Sequence, residues 1–105
     1  MHTYNITMVT DERHVPQLLG LLRSQVIPAL LESGHAGAPR LARVASKMPG
    51  DGSTESLSLQ FDFATTADVA KWKKSVLPAQ MEAITAKFGD KVLTFCTLLQ
   101  QLPHE

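Results

Sequence analysis

Asn5, Thr7, Gln60 and Asp62 carry hydrogen-bonding heads on segments whose residue types favour β-strands. In the second of these segments Leu57, Leu59, Phe61 and Phe63 alternate with Ser56, Ser58, Gln60 and Asp62. Successive strand side chains point to opposite faces, so the apolar set faces a core and the polar set faces away. The first segment divides in the same way, Tyr4, Ile6 and Met8 against Asn5, Thr7 and Val9. Polar heads converging in an enclosed, partly apolar space are the usual means of orienting a small organic ligand. The competing reading is that these groups are solvated, or that Asp62 pairs with Arg40 or Arg43 on a neighbouring strand.

Other chemistry is harder to assemble. The histidines are His2, His14, His35 and His104, near termini or in loops, and no His-x-x-x-His, Cys-x-x-Cys or acidic cluster has metal-ligand spacing. Neither metal nor cofactor is therefore expected. His35 lies in a Gly-rich stretch, GHAGAP, with no recognisable partner and reads as exposed. That stretch and the PGDG turn both lack the Gly-Lys-Ser/Thr ending of a phosphate loop. Cys96 falls on a segment that reads as a buried strand and is expected to be an inert small apolar residue. Lys71, Lys73 and Lys74 form a short basic patch, most simply a solvated helix face.

Ten basic residues balance ten acidic ones, which gives no electrostatic footprint for nucleic acid or an acidic membrane surface. A single cysteine excludes an internal disulfide, no leader-like start is visible, and cytosolic placement is expected. No apolar run approaches the roughly 20 residues that span a bilayer. With 105 residues, 44% of them hydrophobic, one domain spanning 1–105 can build one core.

The elements that must position these residues follow from periodicity. Residues 2 to 10 read as a first strand. After Asp11, Val15, Leu18, Leu19, Leu22, Val26 and Leu30 recur at helical spacing, and Pro28, which has no N–H for the Ser24 carbonyl, predicts a kink within that helix. Gly34 ends it. A second strand is expected from Arg40 to about Met48, followed by a turn at Pro49 to Gly52 and a third strand through Leu57 to Phe63. A second helix opens at Thr65 or Thr66, with Asp68 completing a capping-box pattern, and carries Val69, Trp72, Val76, Ile84 and Phe88 to a stop at Gly89. Lys91 to about Gln101 is apolar on both sides, as a strand buried on two faces would be. The heptapeptide from Val26 to Glu32 resembles that from Val76 to Glu82, 50 residues on, which suggests two βαβ halves bending at Pro28 and Pro78.

A βαββαβ order folds as a ferredoxin-like α+β sheet, four antiparallel strands with both helices on one face, because right-handed crossovers put them on the same side. The opposite face is left open and mixed, and pairing two copies over it would protect sheet edges and apolar patches. A homodimer is the expected partner arrangement, with a small molecule as the expected ligand.

Tyr4-Asn5-Ile6-Thr7, Ile27-Pro28 with Ser33-Gly34, Arg40-Leu41, and Phe88-Gly89-Asp90-Lys91 leading to Phe95, Thr97, Leu98 and Leu99 resemble a small bacterial family, a domain of unknown function in the dimeric α+β-barrel superfamily. Where that family often carries His before the Ile-Pro pair, this chain has Val26. The resemblance implies a dimeric barrel and directs attention to Asn5 and Trp72, which fall where haem-degrading monooxygenases of the superfamily line their pocket. The His that ligates iron there has no counterpart between Trp72 and Phe88. The converging polar groups of such a barrel, read with the positions of Asn5 and Trp72, give the expectation of a dimer holding a small organic molecule through Asn5, Thr7, Gln60, Asp62 and Trp72. The enzymatic alternative is an oxygenase or isomerase of the kind the superfamily hosts, working through Asn5, Trp72 and the barrel's polar groups without a cofactor, with haem as the lesser variant; a third reading is a purely structural or interaction module.

Overall fold

A computed structural model describes residues 1–45 and 52–103. Strand β1 (His2–Asp11) is followed by a short 3-10 turn and helix α1 (Val15–Leu21), a π-helical turn (Leu22–Val26) and helix α2 (Ile27–Glu32). Strands β2 (Gly37–Arg43) and β3 (Thr54–Phe63), helices α3 (Thr66–Ser75) and α4 (Leu77–Phe88) and strand β4 (Val92–Gln100) complete the order. The sheet runs β2-β3-β1-β4, with every neighbouring pair antiparallel, the ferredoxin-like arrangement expected from the sequence.

Alternation sets the two faces of the central strands. On β1 and β3, Ile6, Met8, Leu59 and Phe61 are fully buried beneath the helices. Asn5, Thr7, Ser58, Gln60 and Asp62 turn to the other face and stay partly exposed. Trp72 of α3 stands at the centre of the core, its ring centroid 5.2 Å from Tyr4, 5.5 Å from Phe61 and 5.0 Å from Phe63. Its Nε1–H donates to the Leu30 carbonyl at 2.9 Å, tying the end of α2 to α3 through a buried hydrogen bond.

Both prolines act where the chain must bend, by different means. Pro28 cannot donate to Ser24, and the ladder widens just before it: the Ile27 N–H reaches the Leu22 carbonyl, five residues back. A π-helical turn thus marks the irregularity expected at Pro28, and Leu18, Leu22, Val26 and Leu30 remain fully buried along one stripe. Pro78 instead accompanies a break, with Val76 at φ −117° separating α3 from α4, so the single second helix expected from the sequence is two. Asp11 and Thr65 cap as expected, accepting the N–H groups of Arg13 at 3.0 Å and Asp68 at 3.1 Å.

Three strand expectations need correction. β2 starts earlier, at Gly37, and its expected end near Met48 lies outside the described residues, as do Pro49, Gly50 and Asp51 of the expected turn. β3 starts earlier too, at Thr54. β4 is not buried on two faces: only Val92 is buried, and Leu93 through Gln100 are all exposed. The helices cover the central strands and leave β4 at the edge. Cys96, expected to be buried, is therefore exposed.

Candidate functional site

The open face of the sheet divides into two halves. Toward β2 it carries two neighbouring clusters of hydrogen-bonded polar side chains. Arg40 grips Asp62 with two parallel hydrogen bonds, Nη1 to Oδ2 at 3.0 Å and Nη2 to Oδ1 at 2.9 Å, the bidentate geometry that makes arginine-carboxylate pairs strong. The same guanidinium donates to Gln60 Oε1 at 3.2 Å. The Thr3 hydroxyl donates to Asp62 Oδ1 at 2.8 Å. The Arg40 guanidinium first, and the Thr3 hydroxyl second, hold the Asp62 carboxyl below the usual carboxylate range. Beside this cluster the Ser58 hydroxyl donates to Asn5 Oδ1 at 2.6 Å, and the Asn5 amide donates to Thr7 Oγ1 at 2.9 Å. Of the two readings open to Asp62 in the sequence, pairing with Arg40 is the one adopted.

Toward β4 the same face is apolar. The register places Thr97 opposite Asn5, Phe95 opposite Thr7, Leu93 opposite Val9 and Leu99 opposite Thr3. Phe95 is 57% exposed, Leu93 53% and Leu99 46%. Large apolar side chains crowded on one exposed strip mark a surface that is normally covered by something else.

Asn5, Thr7, Gln60 and Asp62 thus share one face, as alternation predicts. Trp72 does not join them. It is fully buried on the helix side, and the sheet itself separates it from Asn5. The expected Asn5–Trp72 pocket is corrected accordingly: the helical stripe that makes Trp72 a core residue also turns it away from the open face. Thr3 and Arg40 belong to the first of these clusters although sequence reasoning gave Thr3 no role and Arg40 only a pairing role. Thr3 was accessible to the same alternation that found Asn5 and Thr7.

Two features lie elsewhere. His35 is not partnerless: its Nδ1 stands 3.1 Å from Asp68 Oδ1, and the Thr65 hydroxyl donates to the other Asp68 oxygen at 3.0 Å, which ties the loop after α2 to the start of α3. On the helix side, between α1 and the β2 edge, a cleft of about 560 Å³ is lined by Val15, Leu19, Gly20, Arg23, Arg43 and Glu55, among others. Arg43 Nε is 3.8 Å from Glu55 Oε2 there. The sequence offered one hint of this cleft, a glycine at position 20 within a helix. Among the described residues no group of three or more His, Cys, Asp or Glu stands close enough to hold a metal ion, and no helix is long and apolar enough to cross a membrane.

A four-stranded sheet with helices on one face and a half-polar, half-apolar opposite face defines a ferredoxin-like α+β protein. Solved structures agree in fold. An ethyl tert-butyl ether (EthD) family protein from Bacillus halodurans C-125 superposes with a TM-score of 0.72 at 11% identity, covering 97% of this chain and 100% of that one. A candidate antibiotic biosynthesis monooxygenase from Deinococcus radiodurans gives 0.67 at 17% identity, covering 100% and 96%. A dimeric ferredoxin-like protein from an uncultured marine organism gives 0.64 at 12% identity, also covering 100% and 96%. Comparison with curated proteins returns no match in sequence. The chain belongs to the family DUF4286, a domain of unknown function, whose pattern matches residues 1–102.

Proposed function

We propose that this protein is a single-domain homodimer that pairs its open sheet faces and holds a small amphipathic organic molecule between them. The observation that carries this reading is the split character of that face. Asn5, Thr7 and Ser58 are oriented by their hydrogen bonds to one another and present spare donors and acceptors, while Phe95 and Leu93 stand a strand away. A ligand with a polar head and an apolar body matches both halves at once. A solved structure of similar fold from an uncultured marine organism, described as dimeric, supports the homodimer.

The enzymatic reading, an oxygenase or isomerase acting through Asn5 and Trp72, is weaker on a geometric ground, since those side chains lie on opposite sides of the sheet. The helix-side cleft is weaker as a ligand site because Glu12, Arg23 and Arg43 around it are exposed and their charges are solvated.

Sedimentation at micromolar concentration is expected to give a mass near twice 11.5 kDa. Native mass spectrometry of the freshly purified protein is expected to show an additional small-molecule mass that Asn5→Ala with Thr7→Ala removes. A monomer, or a dimer whose bound mass ignores those substitutions, overturns the proposal.

A further inference from the structure

The cleft between α1 and the β2 edge continues past Leu19, Arg23 and Arg43 into a smaller hollow of about 250 Å³ over Leu41 and Leu57. Alternation turns Leu41 and Arg43 of β2 toward the helices, opposite Leu59 and Leu57 of β3. Leu57 and Leu59 are buried, whereas Leu41 is only partly so and Arg43 is exposed. The helices lie over the central strands and leave the floor beside this edge uncovered. An apolar floor therefore opens to solvent within a single chain, whatever covers the other face of the sheet.

The charges around it are unevenly placed. The larger part has Glu12 at one end, just ahead of α1, and Glu55 in its wall. The smaller part has Arg23 and Arg43 as its charged lining and no acid. Both arginines border both parts, so they meet at the junction. Their hydrogen-bonding capacity is largely unspent. Among the described residues the Arg23 guanidinium has no hydrogen-bond or ion-pair partner, and that of Arg43 makes one long contact, from Nε to Glu55 at 3.8 Å, with both Nη groups left over. Arg40 on the open face is the opposite case, with both Nη groups committed to Asp62. A guanidinium with a free fork is the side chain best matched to a carboxylate.

Gly20 points the same way. A glycine within a helix is less stable than an alanine there, and no neighbour requires one, because a Cβ at Gly20 would meet no heavy atom within 4 Å. The space that a side chain would occupy belongs to the cleft, whose wall Gly20 forms.

We infer that this cleft binds a small organic monocarboxylate, its head held between the Arg23 and Arg43 guanidinium groups and its apolar body lying along Val15, Leu19 and Gly20. The helix from Val15 to Arg23 runs roughly 12 Å at about 1.5 Å per residue, which accommodates a body of medium chain length. The larger part, about 560 Å³, is of the size that small-molecule sites have. Glu12 at the far end sets the specificity: a second carboxylate there would face like charge, and a neutral head would leave both guanidinium groups unmatched. Charges that stay in solvent contribute little, so this site is weaker than the open face, and a ligand of about ten heavy atoms is expected to bind with a dissociation constant of roughly 1 mM. The site lies in one chain and goes beyond the reading above, with which it shares no residue.

The test titrates the isotope-labelled native protein with octanoate, octanamide and octanedioate, which share a chain length and differ in their end groups, and follows the backbone amide resonances. Octanoate is expected to shift those of Leu19, Gly20, Arg23, Leu41 and Arg43 saturably, and the amide and the diacid to bind roughly 10-fold more weakly or worse. Gly20→Leu fills the cleft without displacing a neighbour and is expected to abolish binding in a chain at least as stable as wild type. Arg23→Gln with Arg43→Gln is expected to weaken octanoate binding by roughly 10-fold or more while leaving octanamide unaffected. Octanoate that moves no resonance in the cleft, shifts that gather instead at Asn5, Thr7 and Phe95, equal affinity for the amide or the diacid, or binding indifferent to Gly20→Leu overturns the inference. Should the double arginine variant fail to fold, Gly20→Leu and the ligand series decide.

Discussion

β2 and β4 flank the same sheet, both exposed, and they solve the problem of an open edge in opposite ways. β2 is spoiled for pairing by Pro39, by two arginines and by a register shift, and Arg40 spends its guanidinium on Asp62 and Gln60 of the next strand. β4 keeps every outward N–H and C=O on an apolar strip. A strand defended by charge can remain at a free edge, whereas an undefended apolar strand has to be covered for the protein to stay dispersed.

The sharpest way to break this contrast is to give β4 the chemistry of β2. Phe95→Lys with Leu99→Lys would remove four apolar side chains from the proposed symmetric interface. At roughly 1.5 to 3 kcal/mol for each fully buried one, dimerisation loses about 6 to 12 kcal/mol. Sedimentation is expected to find only monomer at micromolar concentration. Because both side chains are exposed in the isolated chain, the variant is expected to stay folded, with a denaturant midpoint lower than that of the wild type by the stabilisation dimerisation supplied and no longer dependent on protein concentration. If the double variant remains a dimer, the apolar half is not the contact surface.

A smaller effect tests whether the open face lies outside the folding core. Phe61 and Gln60 are neighbours on β3, one fully buried and one on the open face. Phe61→Asp buries a charge in the core and is expected to destabilise by more than about 4 kcal/mol, enough to unfold the chain at room temperature. Gln60→Asp is expected to change stability by no more than about 0.5 kcal/mol. Chemical denaturation of the two variants checks the difference, and similar losses would mean that the open face is part of the folding core.

The smallest effect concerns the defended edge. Arg40→Ala removes a partly exposed ion pair and is expected to alter stability only slightly at neutral pH. Its pH dependence is more telling. Arg40 depresses the Asp62 pKa in the folded state, so the pair stabilises the protein above the ordinary carboxylate range and loses that contribution as pH falls through the lowered value. Wild type and Arg40→Ala are therefore expected to differ at pH 7 and to converge once the pH has fallen below the lowered Asp62 value. Parallel stability curves across that range would show that the pair contributes nothing.

Much of this molecule was legible in its sequence. The period of two in Tyr4 to Val9 and in Ser56 to Phe63 assigned each residue of β1 and β3 to its face, and the order of elements led to the sheet topology. These are properties of single segments, where the backbone geometry alone determines which side chains share a side. Coverage is not such a property. That β4 lies bare, that Trp72 and Asn5 stand on opposite sides of the sheet, and that Pro28 widens a helix where Pro78 accompanies a break depend on where the helices cross the strands. An apolar segment reads the same whether its cover comes from its own chain or from another, since periodicity records the preference of a side chain for burial and not the identity of what buries it.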